Sequence, residues 1–322
     1  MNDSDARLQL TKLRDAFLAA WMRGQWQDLE QHLAEDAELI SNQHGEGRDE
    51  SDWHRLLADA ATLTWMRTSN HATLVAQSGQ AASSFYAIGL FSRGAQQFLF
   101  GASVVLQFRQ NNRQQGDRWY LTTARLNANW CKGDMSLAAH WRKPPNDAGW
   151  QLGDDPPTIV SELDSPWALI RNALPEGSAQ DAVRQLYSKY SWAIDQGDIN
   201  LLNDCYTDDA AGVFTPMGAL QGRHEIIGQQ KSFRRHWPWM QHFADVLRLE
   251  LESDGCYARM IVGRIVPERH VDETGRNLYG AHYQLRLRLE ESGQWRICWF
   301  DYRPGWFTDN NIPAFEIGIT NA

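Results

Sequence analysis

The sequence predicts an α+β protein built twice: two tandem domains, each with helices packed on one face of a curved antiparallel sheet. Three observations predict it. First, AWMRGQWQDLEQHLAEDA at 20–37 returns as AIDQGDINLLNDCYTDDA at 193–210. Ala20, Gly24, Leu29, Asp36 and Ala37 fall on Ala193, Gly197, Leu202, Asp209 and Ala210. Second, each phrase opens the same series of helical spacing followed by long β-rich stretches. Third, two Pro-Pro pairs, Pro144-Pro145 and Pro156-Pro157, sit between the copies in a turn-rich linker. The repeat is far too long for a solenoid. The expected division is 1–140, a linker at 141–178, and 179–322 with a C-terminal tail.

The elements follow in order. Leu10, Leu13, Phe17 and Trp21 are spaced for one face of a helix over 5–22, and a short helix near 26–34 follows Gly24. DESDWHRLLADA at 49–60 offers an acidic first turn and then Trp53, Leu56, Leu57 and Ala60 on one side. Strands are expected near 64–77, 81–92, 96–110 and 118–131, punctuated by Gly79, Gly94 and NNRQQGD. SELDSPWALIRNAL at 161–174 suits a short helix within the linker. In the second half, Val183, Leu186, Tyr190 and Ile194 predict a helix over 179–195. A short helix near 199–205 and a third at 223–237 come next. Strands near 239–252, 256–270, 277–290 and 294–303 follow, with Gly255, Gly275 and Gly293 at their turns. In MQHFADVLRLELES the apolar parity changes between Val246 and Leu247, which a bulge or a twisted edge strand would each explain.

Composition narrows the function classes. The chain is 43% hydrophobic and 22% charged, as in globular proteins, and no apolar run is long enough for a membrane span. Its start lacks the pattern of a signal peptide, and four widely spaced cysteines suit a reducing cytoplasm. A net charge of −9 argues against a nucleic-acid partner. The dense basic run KSFRRHW, 231–237, is expected to be a solvated helix face. No metal-ligand grouping and no nucleotide or nucleophile-elbow motif is found, so neither a metal nor a cofactor is expected.

The second half resembles the SnoaL-like group of the NTF2-like superfamily, with its cone-shaped (cystatin-like) fold. The phrases that carry this are YSWAIDQGDINLLNDCYTDDA, the GR of LQGRHEIIG, MQHF at 240–243, and GQWRICWFDYRPGW. The first half resembles the same fold more faintly, through 8–60 and SNHATL at 69–74. The group includes scytalone dehydratase, polyketide cyclases and ketosteroid-isomerase-like enzymes. The resemblance therefore implies a cofactor-free lyase or isomerase acting on a small apolar or aromatic molecule. Asp195 and His242 fall on that family's pocket aspartate and histidine. A second family histidine follows a Val-Pro pair; here Val266-Pro267 is followed by Glu268, with His270 two further on. A family tyrosine is Phe214 here. The alternatives are a non-catalytic binding or scaffold protein, or an accessory subunit like the small subunits of ring-hydroxylating oxygenases.

Chemistry supports the pair independently. A carboxylate near a helix C-terminus, in an apolar cone, gains from a cationic or donor partner. An imidazole across the pocket would supply it, with its tautomer fixed for proton transfer at neutral pH. Two plain readings stay open: Asp195 ends its helix in water, and His242 is a hydrogen-bonded core residue. Tyr190, Trp192, Phe214, Trp237, Trp239, Met240 and Trp299 are candidate pocket walls. Glu268, His270, His282 and Asp301 are candidate polar pocket residues, with a cross-strand pair as the plain reading for His282 and Asp301. In the first half, Met22 stands at the position of Asp195 and His71 at that of His242, so that cone is expected to be degenerate. Superfamily members often pair through their sheets. A tandem chain would then form an intrachain pseudo-dimer, with further homo-oligomerisation left open.

Overall fold

The structure is a computed structural model that describes residues 3–111, 118–142, 145, 153–154, 156–175, 177–237 and 240–316. It divides into two compact units, Met1–Pro175 and Glu176–Ala322.

The first unit opens with helix α1 (Asp3–Arg23) and the short α2 (Trp26–Glu30), then strands β1 (Leu33–Ser41) and β2 (Gly45–Gly47). Helices α3 (Glu50–Trp53) and α4 (Leu57–Ala60) precede the long strands β3 (Leu63–Val75), β4 (Gln80–Arg93), β5 (Gln96–Asn111) and β6 (Arg118–Gly133). The sheet order is β2-β1-β6-β5-β4-β3. After β6 the chain turns back, and Leu137, Ala138 and Trp141 are buried in the core. Two further short helices, α5 (Ser161–Asp164) and α6 (Pro166–Leu169), belong to this unit. Trp167, Leu169 and Ile170 pack on Leu74 and Ala82. Strand alternation puts Leu74 and Ala82 opposite Val75 and Ala81, which face the main core, so α6 covers the sheet's other face.

The second unit repeats the plan with α7 (Ala179–Gln196), α8 (Ile199–Asn203), β7 (Tyr206–Phe214), β8 (Gly218–Gln221) and α9 (Arg223–Arg234). The long strands β9 (Ala244–Leu251), β10 (Tyr257–Arg264), β11 (Leu278–Leu289) and β12 (Trp295–Thr308) complete a sheet of order β8-β7-β12-β11-β10-β9. Both units are therefore α+β with six-stranded sheets of matching order. Ser178 caps α7 by accepting the Asp181 amide at 3.1 Å. At the far end Gly197, in the left-handed region at φ 71°, donates to the Ala193 carbonyl. Gly24 does the same to Ala20, at φ 68°. The shared glycines of the repeated phrase are thus the same helix stop used twice.

Two features go beyond the series read from sequence. The four long strands form the antiparallel meander, but β1 and β7 join it in parallel, beside β6 and β12. Their exposed acids, Glu35-Asp36 and Asp208-Asp209, interrupt the apolar alternation that would mark a strand. The parity change in β9 is a bulge: Ile261 pairs with Arg248 and Val262 with Val246, leaving Leu247 as the extra residue. The first unit carries a comparable irregularity between Ser69 and Ala72, where Asn70 sits at φ 55°.

Candidate active site

A cavity of about 340 Å³ opens in the second unit between α7, α9 and the concave face of the sheet. Strand register explains its wall. Tyr283 pairs with Val262 and Tyr302, and Leu285 with Met260 and Phe300, so these residues share one face. Phe214 adds a stacked contact on Phe300 at 4.7 Å between ring centroids. Tyr190, from α7, is buried with its hydroxyl accepting from Gln230 at 3.2 Å.

The structure brings Asp195 and His242 together. Asp195 lies in the last turn of α7, and its side chain is 1% exposed. Its carboxylate meets His242 Nδ1 at 2.6 Å and accepts the His242 backbone amide at 2.7 Å. An ionised carboxylate only accepts, so Nδ1 carries the proton and Nε2 is left on the opposite side of the ring. His242 lines the cavity while Asp195 lies behind it. Arg234 closes the arrangement: Nη1 donates to Asp195 Oδ1 at 3.3 Å, Nη2 to the Asp195 carbonyl at 2.6 Å, and Nη1 also to the Met240 carbonyl. Burial pushes the Asp195 carboxyl up, but the electrostatic pull and hydrogen bonds of His242, with the Arg234 guanidinium, outweigh it and hold it below the usual range.

Among the remaining sequence candidates, Tyr190, Phe214 and Met240 line this cavity. Trp192 is buried in the core, and Trp237 packs on Phe233 at 4.7 Å without lining the cavity. Glu268 is exposed on a short turn, and His270 Nδ1 bonds the Pro267 carbonyl at 3.0 Å. His282, Trp299 and Asp301 alternate with Tyr283, Phe300 and Tyr302 and so face the other side of the sheet. Asp301 pairs with Arg303 at 2.8 Å, and its strand partner is Gln284, not His282. Trp239 lies outside the described residues.

Sequence reasoning missed Gln230, Arg234 and Arg264. The basic run was expected to be a solvated face, yet the Arg234 side chain is only 15% exposed. Its signal was present: Ile226, Gln230 and Arg234 fall four apart, on the inward stripe of α9. Burial pushes the Cys205 thiol up to about 12 and the Cys298 thiol up to about 11, so neither is a ready thiolate.

The corresponding positions of the first unit hold different side chains. Met22 packs against the apolar core. His71 stacks on Phe85 at 5.6 Å, with Nδ1 3.3 Å from Arg14 Nη1 and Nε2 3.1 Å from Thr68 Oγ1. Burial and the Arg14 charge push His71 down to about 3, so it is neutral, accepting from Arg14 and donating to Thr68. A carboxylate that sequence reasoning missed, Asp59, is fully buried and accepts four bonds: Trp21 Nε1 at 2.7 Å, His44 Nε2 at 2.9 Å, His140 Nε2 at 2.5 Å and Trp141 Nε1 at 2.9 Å. Trp21 and Trp141 also pack on Phe100, at 6.3 and 5.1 Å.

An α+β cone with a histidine held by a buried carboxylate at its cavity is the class this geometry defines. Residues 175–301 match the family model described as SnoaL-like domain, and that segment is a SnoaL-like domain of NTF2-like fold. Similar solved structures include hexachlorocyclohexane dehydrochlorinase LinA-type3 from Novosphingobium barchaimii, at 13% identity, TM-score 0.35, covering 40% of this chain and 90% of that one. An NTF2-like protein of unknown function from Silicibacter pomeroyi is 21% identical, TM-score 0.29, covering 38% and 93%. A function-unknown protein from Mycobacterium tuberculosis is 23% identical, TM-score 0.29, covering 38% and 74%. No curated protein matches the chain. Among the described residues, no helix is long and apolar enough to cross a membrane.

Proposed function

We propose that the second unit catalyses proton transfer at carbon in a small, mainly apolar carbonyl or polyol compound, as a lyase or isomerase. The observation that carries this reading is the 2.6 Å contact between Asp195 and His242 Nδ1, made behind a histidine that lines an aromatic cavity. His242 Nε2 is the base: it takes a proton from carbon next to a carbonyl, leaving an enolate. Return of that proton to another carbon completes an isomerisation; its delivery to a leaving hydroxyl expels water and completes an elimination. Asp195 holds the tautomer and stabilises the charged ring in both halves of the cycle. These steps require no electron transfer and hence no redox cofactor.

The test is deuterium incorporation from heavy water into a panel of cyclic and aryl ketones, with and without a carboxylate substituent. The reading requires exchange above background for at least one of them, lost in Asp195→Asn. A panel without exchange, or exchange untouched by that substitution, overturns it. A second reading, a non-catalytic binding cone, is favoured by Phe214, which brings no hydroxyl to the wall, and by Glu268, which stands in solvent. The first unit serves as scaffold in either case, because Trp21, Trp141, Phe100 and the Asp59 cluster occupy its interior.

A further inference from the structure

Arg264 ends β10 and lines the cavity alongside His242. Register places it there: Arg264 pairs with Ala244 on one side and Ala281 on the other, on the same face as Val262 and Tyr283. The phenols of Tyr302 and Tyr283 line the cavity beside its guanidinium, with Tyr187 close by. Burial raises the Tyr187 and Tyr283 hydroxyls above their ordinary value, so these phenols are neutral and do not cancel the charge. Among the described residues, no carboxylate forms an ion pair with Arg264. The other inward-turned arginine, Arg234, is already matched by Asp195. The cavity wall thus holds a guanidinium with tyrosines but no counter-charge. Arg264 is half-buried, and a guanidinium partly withdrawn from water without a counter-charge favours a bound anion.

We infer that this cavity takes a small carboxylate whose anionic group docks on Arg264 with Tyr302 and Tyr283, and whose compact apolar body lies along Phe214, Phe300 and Met240. A guanidinium fork matches a carboxylate through two parallel hydrogen bonds and so fixes the ligand's orientation. With the charged end held on β10, the ligand's body extends toward His242, which stands two residues after Met240 and just before β9. This names the substrate class for the proposed proton transfer and rests on that reading for the chemistry, but not for the binding.

The experiment is binding without turnover, on the full chain, with 2-naphthoate and its neutral isostere 2-naphthamide as probes. Methyl resonances of Met217 and Met240, which both line the cavity, report occupancy. The acid should bind at least about tenfold more tightly than the amide, as expected for hydrogen bonds to a charged group. Arg264→Gln should reduce that preference to near unity. Arg264→Lys keeps the charge without the fork and should give an intermediate ratio; it also serves if the first variant does not fold. Equal affinity for acid and amide in the wild type, or a preference unchanged in the variants, overturns the inference. Preference without deuterium exchange would defeat the proton-transfer reading alone, and exchange without preference would defeat this inference alone.

Discussion

Asp195→Asn keeps the shape of the side chain and removes its charge. In the wild type the carboxylate accepts from the His242 amide at 2.7 Å, His242 Nδ1 at 2.6 Å and Arg234 Nη1 at 3.3 Å. An amide has one acceptor oxygen, and its NH₂ must then face at least one of those donors. Arg234, 15% exposed, would also lose its counter-charge. Breaking a buried ion pair by removing one partner costs about 3–5 kcal/mol. At roughly 2–4 °C per kcal/mol for a domain of this size, the second unit's melting transition should fall by about 6–20 °C. Near-ultraviolet circular dichroism of the full chain would follow it. The pH dependence has a definite sign. The folded carboxyl lies below its ordinary 3.8, so its contribution is complete above that value and is lost as pH falls through the folded one. The gap between wild type and variant should therefore be widest near neutrality and close in acid. A shift under about 2 °C at neutral pH, or a gap that persists unchanged into acid, would refute the reasoning.

Two further outcomes are expected in the first unit. Asp59→Asn turns an NH₂ toward one of the two tryptophan N–H donors, which is left without an acceptor at about 1–3 kcal/mol, and should lower that unit's transition by roughly 2 °C or more; an unchanged transition would show that the cluster contributes little. His71, held near 3 against an ordinary 6.5, favours the unfolded chain wherever the latter is protonated. Stability should be full above 6.5 and decline toward lower pH by up to about 1.4 kcal/mol per unit, a dependence that His71→Gln should remove. Identical pH profiles for the two proteins would count against the depressed value.

How far the sequence carries depends on distance along the chain and on parity. Helix and strand order was legible because spacing is local, and Gly24 and Gly197 announced the same stop in both copies. Asp195 and His242 were legible as a pair through the phrases they sit in. Arg234 was hidden inside a run of basic residues, although its place on the stripe with Ile226 and Gln230 gave it away in principle. His282, Trp299 and Asp301 were misjudged because one-residue parity decides which face a strand residue meets, and register shifts in β11–β12 and β9–β10 move that parity. The Asp59 cluster draws on positions 21, 44, 59, 140 and 141, which no local pattern connects.

The central claim is that His242 is the base of the second cone, and chemical rescue tests it most directly. On whichever ketone shows deuterium exchange with the wild type, His242→Ala should lower the rate by about 10²–10⁴, the range typical of losing a positioned base. Added imidazole, entering the space the ring has left, should restore part of it in proportion to its concentration. Exchange that continues at the wild-type rate in His242→Ala would contradict the account.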